Sequence, residues 1–157
     1  MKTLKNIQQK ILNNTTLIST IHKWRCENNT IVFTNGCFDL LHPGHITYLA
    51  HAADEGTKLI IGVNSDASVQ KIKGPSRPLL DEQARLLNLA ALSFVDAVIL
   101  FREDTPLNLI KSILPDVLIK GGDYKVEEIV GYDVVQNYGG VIKTIPLVPD
   151  YSTSIIE

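Results

Sequence analysis

The sequence lacks the features that define several large classes of protein. Its two cysteines, Cys26 and Cys37, match no metal-binding or redox spacing, so we interpret both as reduced thiols. No run of about eighteen apolar residues is present, and the polar N-terminus has no apolar signal core, which favours a cytoplasmic protein. Fifteen basic and seventeen acidic residues leave a formal charge of -2, which gives no electrostatic footprint for duplex nucleic acid or an anionic membrane.

Two common nucleotide-binding motifs are also missing. Neither G-x-G-x-x-G nor G-x-x-x-x-G-K-[ST] occurs, which disfavours a dehydrogenase and a P-loop kinase. No period of about 20 to 50 residues repeats, so a solenoid is disfavoured as well. With 157 residues, of which 45% are hydrophobic and 20% charged, the chain fits a globular domain with a buried core.

Apolar runs of strand type alternate with segments of helical periodicity along most of the chain. The predicted strands span residues 31–33, 59–63, 95–101, 117–119 and 141–147. The predicted helices begin near residues 42, 81 and 105, with a further short helix before residue 139. Alternation of this kind is typical of a doubly wound parallel sheet with right-handed crossovers, whose ligands bind at the carboxyl edge. We therefore predict an α/β fold with a Rossmann-like sheet.

The first 26 residues carry apolar residues near helical spacing on both sides of the polar segment 13–16, which predicts two short helices. The apolar faces of these helices must pack either against the rest of the domain or against a second chain. The predicted organisation is an N-terminal helical extension over residues 1–28, followed by one domain over residues 29–157.

The joint between the first strand and the next helix holds two histidines. Pro43 fits the first helical position, which places His42 and His45 on the first turn, aimed at one volume. Free N–H groups and the helix dipole favour an anion there, and Gly44 leaves room for a phosphate. The alternatives are a surface or capping pair and a metal site, although a closed zinc site needs four ligands and no matching motif accompanies the histidines.

Other polar residues follow the later strands. Asn64 and Asp66 come directly after the second strand, where Asp66 either points into the ligand crevice or caps the next helix. Lys71, Lys73 and Arg77 lie in a segment with Gly74, Pro75 and Pro78 that we predict to be a mobile basic loop, either clamping phosphate or simply solvated.

Two further polar segments lie at strand ends in the C-terminal part of the chain. The segment Lys120-Gly121-Gly122-Asp123-Tyr124 follows the fourth strand, and its glycines let backbone approach a base or ribose. The run Ser152-Thr153-Ser154 is typical of a helix cap, which can also bind phosphate. A plain turn and a structural cap are the alternatives.

The segment from Gly36 to His45 resembles the signature of the cytidylyltransferase-like nucleotidyltransferases, a His-x-Gly-His after a Gly-x-Phe-Asp. The run from Phe33 to Asp39, together with the segments 63–66, 120–124 and 152–156, resembles the heptose 1-phosphate adenylyltransferases within this superfamily. The resemblance extends from about residue 30 to the end of the chain. The His-x-Gly-His element by itself indicates only the superfamily. The four segments, in this order along the chain, are the evidence for the narrower resemblance to heptose 1-phosphate adenylyltransferases.

This resemblance implies a nucleotidyltransferase that moves AMP from ATP to a heptose 1-phosphate, in ADP-heptose and lipopolysaccharide biosynthesis. It implies Mg²⁺ as a companion of the triphosphate and a homodimer as the assembly. The residues assigned to catalysis are His42, His45 and Lys73. Those assigned to the nucleotide are Thr34, Asn35, Gly36, Cys37, Phe38, Gly44, Asn64, Asp66, Lys71, Lys120, Gly121, Gly122, Asp123, Tyr124, Ser152, Thr153 and Ser154. Those assigned to the acceptor are Asp39, Arg77 and Arg85, with orientation of the first loop as the other role open to Asp39.

The chain departs from the cytidylyltransferase branch in lacking an arginine shortly before Ser152, which argues against glycerol phosphate or choline phosphate as acceptor. The final helix is also barely begun. Two alternative functions stay open: a cytidylyltransferase acting on an alcohol phosphate, which is the runner-up among enzymes, and a non-catalytic nucleotide-binding subunit, which the short final helix leaves open.

Overall fold

The structure is a computed structural model that describes residues 3–149 and 151. Strands and helices alternate along this part of the chain, as the sequence predicts. The strands are β1 (Ile11–Leu12), β2 (Ile31–Gly36), β3 (Lys58–Asn64), β4 (Ala97–Phe101), β5 (Val117–Gly121) and β6 (Val141–Ile145). The helices are α1 (Leu4–Gln8), α2 (Asn14–Cys26), α3 (Pro43–Ala53), α4 (Asp66–Lys73), α5 (Glu82–Ala90), α6 (Leu107–Ile113) and α7 (Tyr132–Tyr138), with a 3₁₀ turn at Val126–Glu128.

The six strands form one parallel sheet in the order β1-β4-β3-β2-β5-β6. From β2 the chain winds outward through β3 and β4, and then returns to the other side of β2 for β5 and β6. The winding direction therefore reverses between β2 and β5, which is the switch point where open α/β sheets bind ligands. The predicted doubly wound fold is confirmed.

Apolar side chains cover both faces of the sheet, as a buried parallel sheet requires. One cluster packs α2, α6 and α7 onto the sheet through residues such as Leu17, Ile110 and Val135. The other packs α3 and α5 through Leu49 and Leu89. The two layers fix the helices so that the N-terminus of α3 opens at the carboxyl edge of β2.

The N-terminal segment packs on the same sheet. Leu17, Ile21 and Trp24 of α2 belong to the core, so the domain itself covers the apolar face of this helix. The short strand β1, which the sequence did not predict, pairs with β4 at the sheet edge and places Ile11 opposite Val98. A division of the chain at residue 28 stays a prediction.

Several element boundaries differ from the sequence prediction. The third predicted strand is shorter, because residues 95 and 96 precede β4. Lys71 and Lys73 belong to the last turn of α4, so the prediction of a mobile loop there is wrong. The buried face of α3 carries Tyr48 and Leu49, whereas Ile46 is exposed.

Within the part of the chain that the structure describes, no helix combines the length and the apolar character that a bilayer crossing requires.

Candidate active site

The two histidines meet at the first turn of α3. His42 is the N-cap residue, and its Nδ1 accepts a hydrogen bond from the backbone N–H of His45 at 3.3 Å. Pro43 occupies the next position, as predicted. The two imidazole rings stack with their centroids 3.7 Å apart and an interplanar angle of 20°. Because Nδ1 of His42 accepts this bond, the proton of the neutral ring lies on Nε2, which leaves one N–H donor for a ligand.

Both imidazoles are neutral at pH 7. Burial, the neighbouring His42 and Lys73 lower the pKa of His45 to about 4, although a backbone hydrogen bond at Leu40 opposes the shift. Burial also lowers the pKa of His42. Within the described residues, the buried Nδ1 of His45 has no hydrogen-bond partner. A buried polar atom without a partner is costly, so this atom is suited to a ligand.

The depressed pKa of His45 predicts a pH-dependent stability. An unfolded histidine has a pKa near 6.5, so between about pH 6.5 and pH 4 the unfolded chain binds a proton that the folded chain excludes. The contribution of neutral His45 to the free energy of unfolding is therefore complete above pH 6.5 and is lost as the pH falls toward 4. We expect His45→Asn to lose less stability than the wild type over this interval in urea unfolding at several pH values. Parallel loss in the two proteins would contradict the shift.

A cavity of about 540 Å³ opens at the carboxyl edge beside the histidines. Twelve of the predicted site residues line it: Asn35, Gly36, Cys37, Phe38, His42, Gly44, His45, Asn64, Lys73, Lys120, Gly121 and Tyr124. They come from the ends of β2, β3 and β5 and from the ends of α3 and α4 that face this edge. The cavity thus brings the histidine pair together with two lysines, a combination suited to a polyanion.

The cavity also has lining residues that the sequence analysis missed: Tyr48, Ile72, Asp104, Thr105, Pro106, Val130, Leu147, Val148 and Tyr151. Asp104, Thr105 and Pro106 follow β4 and could have been found by the rule that polar residues after a parallel strand face the ligand crevice. Tyr48 gives no such signal, because it lies in the middle of an amphipathic helix.

Five described residues predicted to bind the nucleotide lie outside the lining of this cavity: Thr34, Asp66, Lys71, Gly122 and Asp123. Thr34 is fully buried, and its Oγ1 lies 2.6 Å from the hydroxyl oxygen of Tyr48, so it supports the cavity floor. Lys71 is 71% exposed and pairs with Asp104 at 3.3 Å. Gly122 and Asp123 likewise do not line the cavity.

Asp66 opens α4, and its carboxylate pairs with Arg85 at 2.9 Å rather than lining the cavity. The N-cap of α4 is Ser65, whose Oγ accepts from the backbone N–H of Ser68. Asp66 therefore neither lines the ligand cavity nor caps α4, which were the two predicted alternatives. The predicted contacts at Ser152 to Ser154 lie outside the described residues.

The three residues assigned to the acceptor also lie outside the lining. Asp39 and Arg85 are buried, and their side chains bond to backbone and to other side chains. Arg77 pairs with Asp39 at 3.0 Å. A role of Asp39 in orienting the first loop fits these contacts better than direct binding of an acceptor.

Among the described residues, no group of three or more His, Cys, Asp and Glu side chains converges as metal ligands would. Asp104 contributes the one carboxylate in the described cavity lining. Burial raises the pKa of the Cys37 thiol, so this side chain lines the cavity in its protonated, uncharged form.

Comparison with known proteins places this geometry in a family. The Cytidylyltransferase-like family matches residues 33–157. The bifunctional protein HldE of Methylobacillus flagellatus is 52% identical over 147 residues, which cover 94% of this chain and 30% of that protein. The protein of the same name from Syntrophotalea carbinolica is 56% identical over 134 residues, covering 85% of this chain and 27% of that protein. The chain thus spans less than a third of these relatives.

A crystal structure of the lipopolysaccharide core biosynthesis protein from Thermoplasma volcanium GSS1 has a similar fold. Its TM-score is 0.63 at 28% sequence identity, and the match covers 79% of this chain and 99% of that chain. A parallel sheet whose switch point faces a histidine-bearing helix N-terminus defines a nucleotide-binding class of α/β protein. Within this class, the chain belongs to the cytidylyltransferase-like family.

Proposed function

We propose that this chain transfers the AMP moiety of ATP to a heptose 1-phosphate and releases pyrophosphate. The observation that carries the proposal is the stacked His42–His45 pair inside a cavity that also holds Lys73 and Lys120. The four segments that resemble heptose 1-phosphate adenylyltransferases support the acceptor. About half of the residues are identical to the HldE proteins, and the structural neighbour is named for lipopolysaccharide core biosynthesis, which is consistent with that choice.

In this reaction an oxygen of the acceptor phosphate attacks the α-phosphorus of ATP. A new P–O bond forms to the acceptor oxygen, the bond between the α-phosphorus and the bridging oxygen breaks, and that oxygen leaves with its electron pair as part of pyrophosphate. The attacking oxygen is already anionic, so the chain needs no nucleophile or general base. Its contribution is alignment and stabilisation of moving charge.

The histidines are suited to this task as hydrogen-bond donors. Nε2–H of His42 would donate to a phosphate oxygen where negative charge accumulates as pyrophosphate departs, and Nδ1 of His45 would donate once it has taken up a proton. A phosphate placed there would also raise the pKa of both rings, because an anion favours the protonated form. Proton uptake would then follow nucleotide binding at mildly acidic pH.

The two cavity lysines lie on different elements. Lys73 is the last residue of α4, and Lys120 belongs to β5. Since both line the cavity, we assign Lys73 to the triphosphate and Lys120 to the nucleotide near Tyr124, whose ring centroid is 5.8 Å from Nζ. Ser152 to Ser154 keep their assignment to the leaving pyrophosphate as a prediction.

Three finer points stay predictions. Magnesium would arrive on the oxygens of the triphosphate, as it commonly does, and would neutralise part of its charge. Homodimerisation rests on the resemblance alone. The apolar face of α2 packs on the core of the same chain and therefore does not call for a second chain. A cytoplasmic location is the third.

The direct test is pyrophosphate release by the purified chain with a panel of acceptors and nucleotides. We expect turnover with ATP and heptose 1-phosphate, and far slower turnover with CTP or with glycerol phosphate. Faster turnover with CTP and an alcohol phosphate would favour a cytidylyltransferase instead. Nucleotide binding without turnover of any acceptor would favour a non-catalytic binding subunit.

A further inference from the structure

Two buried charged residues, Asp39 and Arg85, anchor the loop that follows β2. Their exposed fractions are 1% and 0%. A buried charge is costly unless hydrogen bonds and an opposite charge compensate it, so the partners of these two side chains indicate what they hold in place.

Arg85, on α5, holds backbone at the ends of two neighbouring strands. Its Nη1 donates to the carbonyl of Cys37 at 2.7 Å and to that of Asn64 at 2.8 Å. Its Nε donates to the carbonyl of Leu80 at 3.1 Å, and its Nη2 donates to Oδ1 of Asp66 at 2.9 Å. Only a planar guanidinium presents donors in these directions at once, so a lysine could not reproduce the set.

Asp39 holds the same loop from its other end. Its Oδ1 accepts from the backbone N–H groups of Leu79 at 2.8 Å and Leu80 at 3.1 Å, and its Oδ2 accepts from Arg77 at 3.0 Å. Burial raises the pKa of Asp39, but these hydrogen bonds together bring it below its usual value, so the group stays charged. Because the carbonyl of Leu80 also binds Arg85, the hydrogen bonds form a closed ring around the loop.

Phe38 lies between the two anchored points. Its φ of 48° is in the left-handed region, which residues other than glycine rarely adopt because of steric strain. Its ring meets the His45 ring edge to face, with centroids 5.5 Å apart and an interplanar angle of 71°. A Cβ on Gly36 would come within 2.9 Å of this ring, so the glycine leaves room for it. His45 is thus held between Phe38 and His42.

We infer that Asp39 and Arg85 are positioning residues that together hold Phe38 in its left-handed conformation, so that its ring keeps the His45 imidazole in place beside the phosphate cavity. Neither residue lines the described cavity, so they act through Phe38 rather than by touching the acceptor. The kinetic consequences of this inference rest on the proposed function.

The first test is Arg85→Lys, which keeps the charge and removes the guanidinium fork. We expect kcat to fall about 10- to 100-fold, because small misplacements of catalytic groups have effects of this size. The KM values for ATP and for the sugar 1-phosphate should stay within about threefold, because their own contacts remain. Arg102→Lys is the matched control. This arginine is 74% exposed, pairs with Glu82 at 3.7 Å, and should give wild-type kinetics.

The second measurement reports on His45 itself and needs no turnover. In NMR titration we expect a pKa of about 4 for His45 in the wild type and a rise toward 6.5 in Arg85→Lys. Phe38→Leu leaves both anchors intact and removes only the aromatic ring, so it should show the same rise and a lower kcat. A merely structural loss would lower the melting temperature without moving this pKa in the folded protein.

Three results would overturn the inference. One is a raised KM for the sugar 1-phosphate with unchanged kcat in Arg85→Lys, since this would mean direct contact with the acceptor. The second is an unchanged kcat in folded Phe38→Leu. The third is an unchanged His45 pKa in the same variant. If Arg85→Lys does not fold, Phe38→Leu decides alone. If the wild type releases no pyrophosphate with any acceptor, the proposed function fails, while the NMR comparison still tests the positioning role.

Discussion

Replacing His45 by Asn is expected to lower kcat for pyrophosphate release by about 10² to 10³, the usual effect of losing one preorganised donor to developing charge. The amide of Asn is polar and smaller than imidazole, so α3 should fold while the stacked contact with His42 is lost. Because the donor acts mainly as charge moves onto the leaving group, KM for ATP should change much less than kcat. Steady-state kinetics with ATP and heptose 1-phosphate would measure both values.

His51→Asn is the matched control for this prediction. His51 lies in the last turn of the same helix and is exposed. The same substitution there tests for general effects of losing a histidine from α3, and we expect wild-type rates. A fully active His45→Asn variant would remove the imidazole pair from the mechanism.

Lys73→Met is expected to reduce kcat/KM for ATP by about 10- to 100-fold. Hydrogen bonds to charged groups contribute about 1.5–3 kcal/mol, and about 1.4 kcal/mol corresponds to a factor of ten. Lys73 lines the cavity, so replacing it by methionine would remove a direct contact between its ammonium and the triphosphate. Methionine keeps the length and apolar stem of the side chain, which restricts the change to the charge.

Lys71→Met tests the second lysine in the last turn of α4. Lys71 lies two residues earlier on α4, but its ammonium is exposed and pairs with Asp104. Exposed pairs of this kind contribute little, so kcat/KM should stay within about threefold of wild type. Equal losses in the two methionine variants would contradict the geometry of α4 that separates them.

The course of the chain and the position of the site follow from local patterns. The strand from Ile31 to Phe33 and the helix starts at Pro43 and near residue 81 all have their predicted places, because strand propensity and capping act over a few residues. The ends of parallel strands meet at one edge, so residues such as Asn64 and Lys120 were found in the same way.

The remaining features depend on distances between segments far apart in sequence. Arg85 is separated from Cys37 by 48 positions, and only the folded chain makes that carbonyl its partner. The sequence analysis therefore assigned Arg85 to the acceptor, although its donors are occupied by backbone carbonyls and by the carboxylate of Asp66. Likewise, β1 has two residues, too few for a recognisable strand pattern, and it exists because β4 offers an edge.

The most direct measurement is a crystal structure of the chain with a non-hydrolysable ATP analogue and heptose 1-phosphate. We predict α- and β-phosphate oxygens within about 3 Å of imidazole nitrogens of both His42 and His45, with the acceptor phosphate facing the α-phosphorus. A triphosphate bound elsewhere, with both imidazoles free of phosphate contact, would contradict the account.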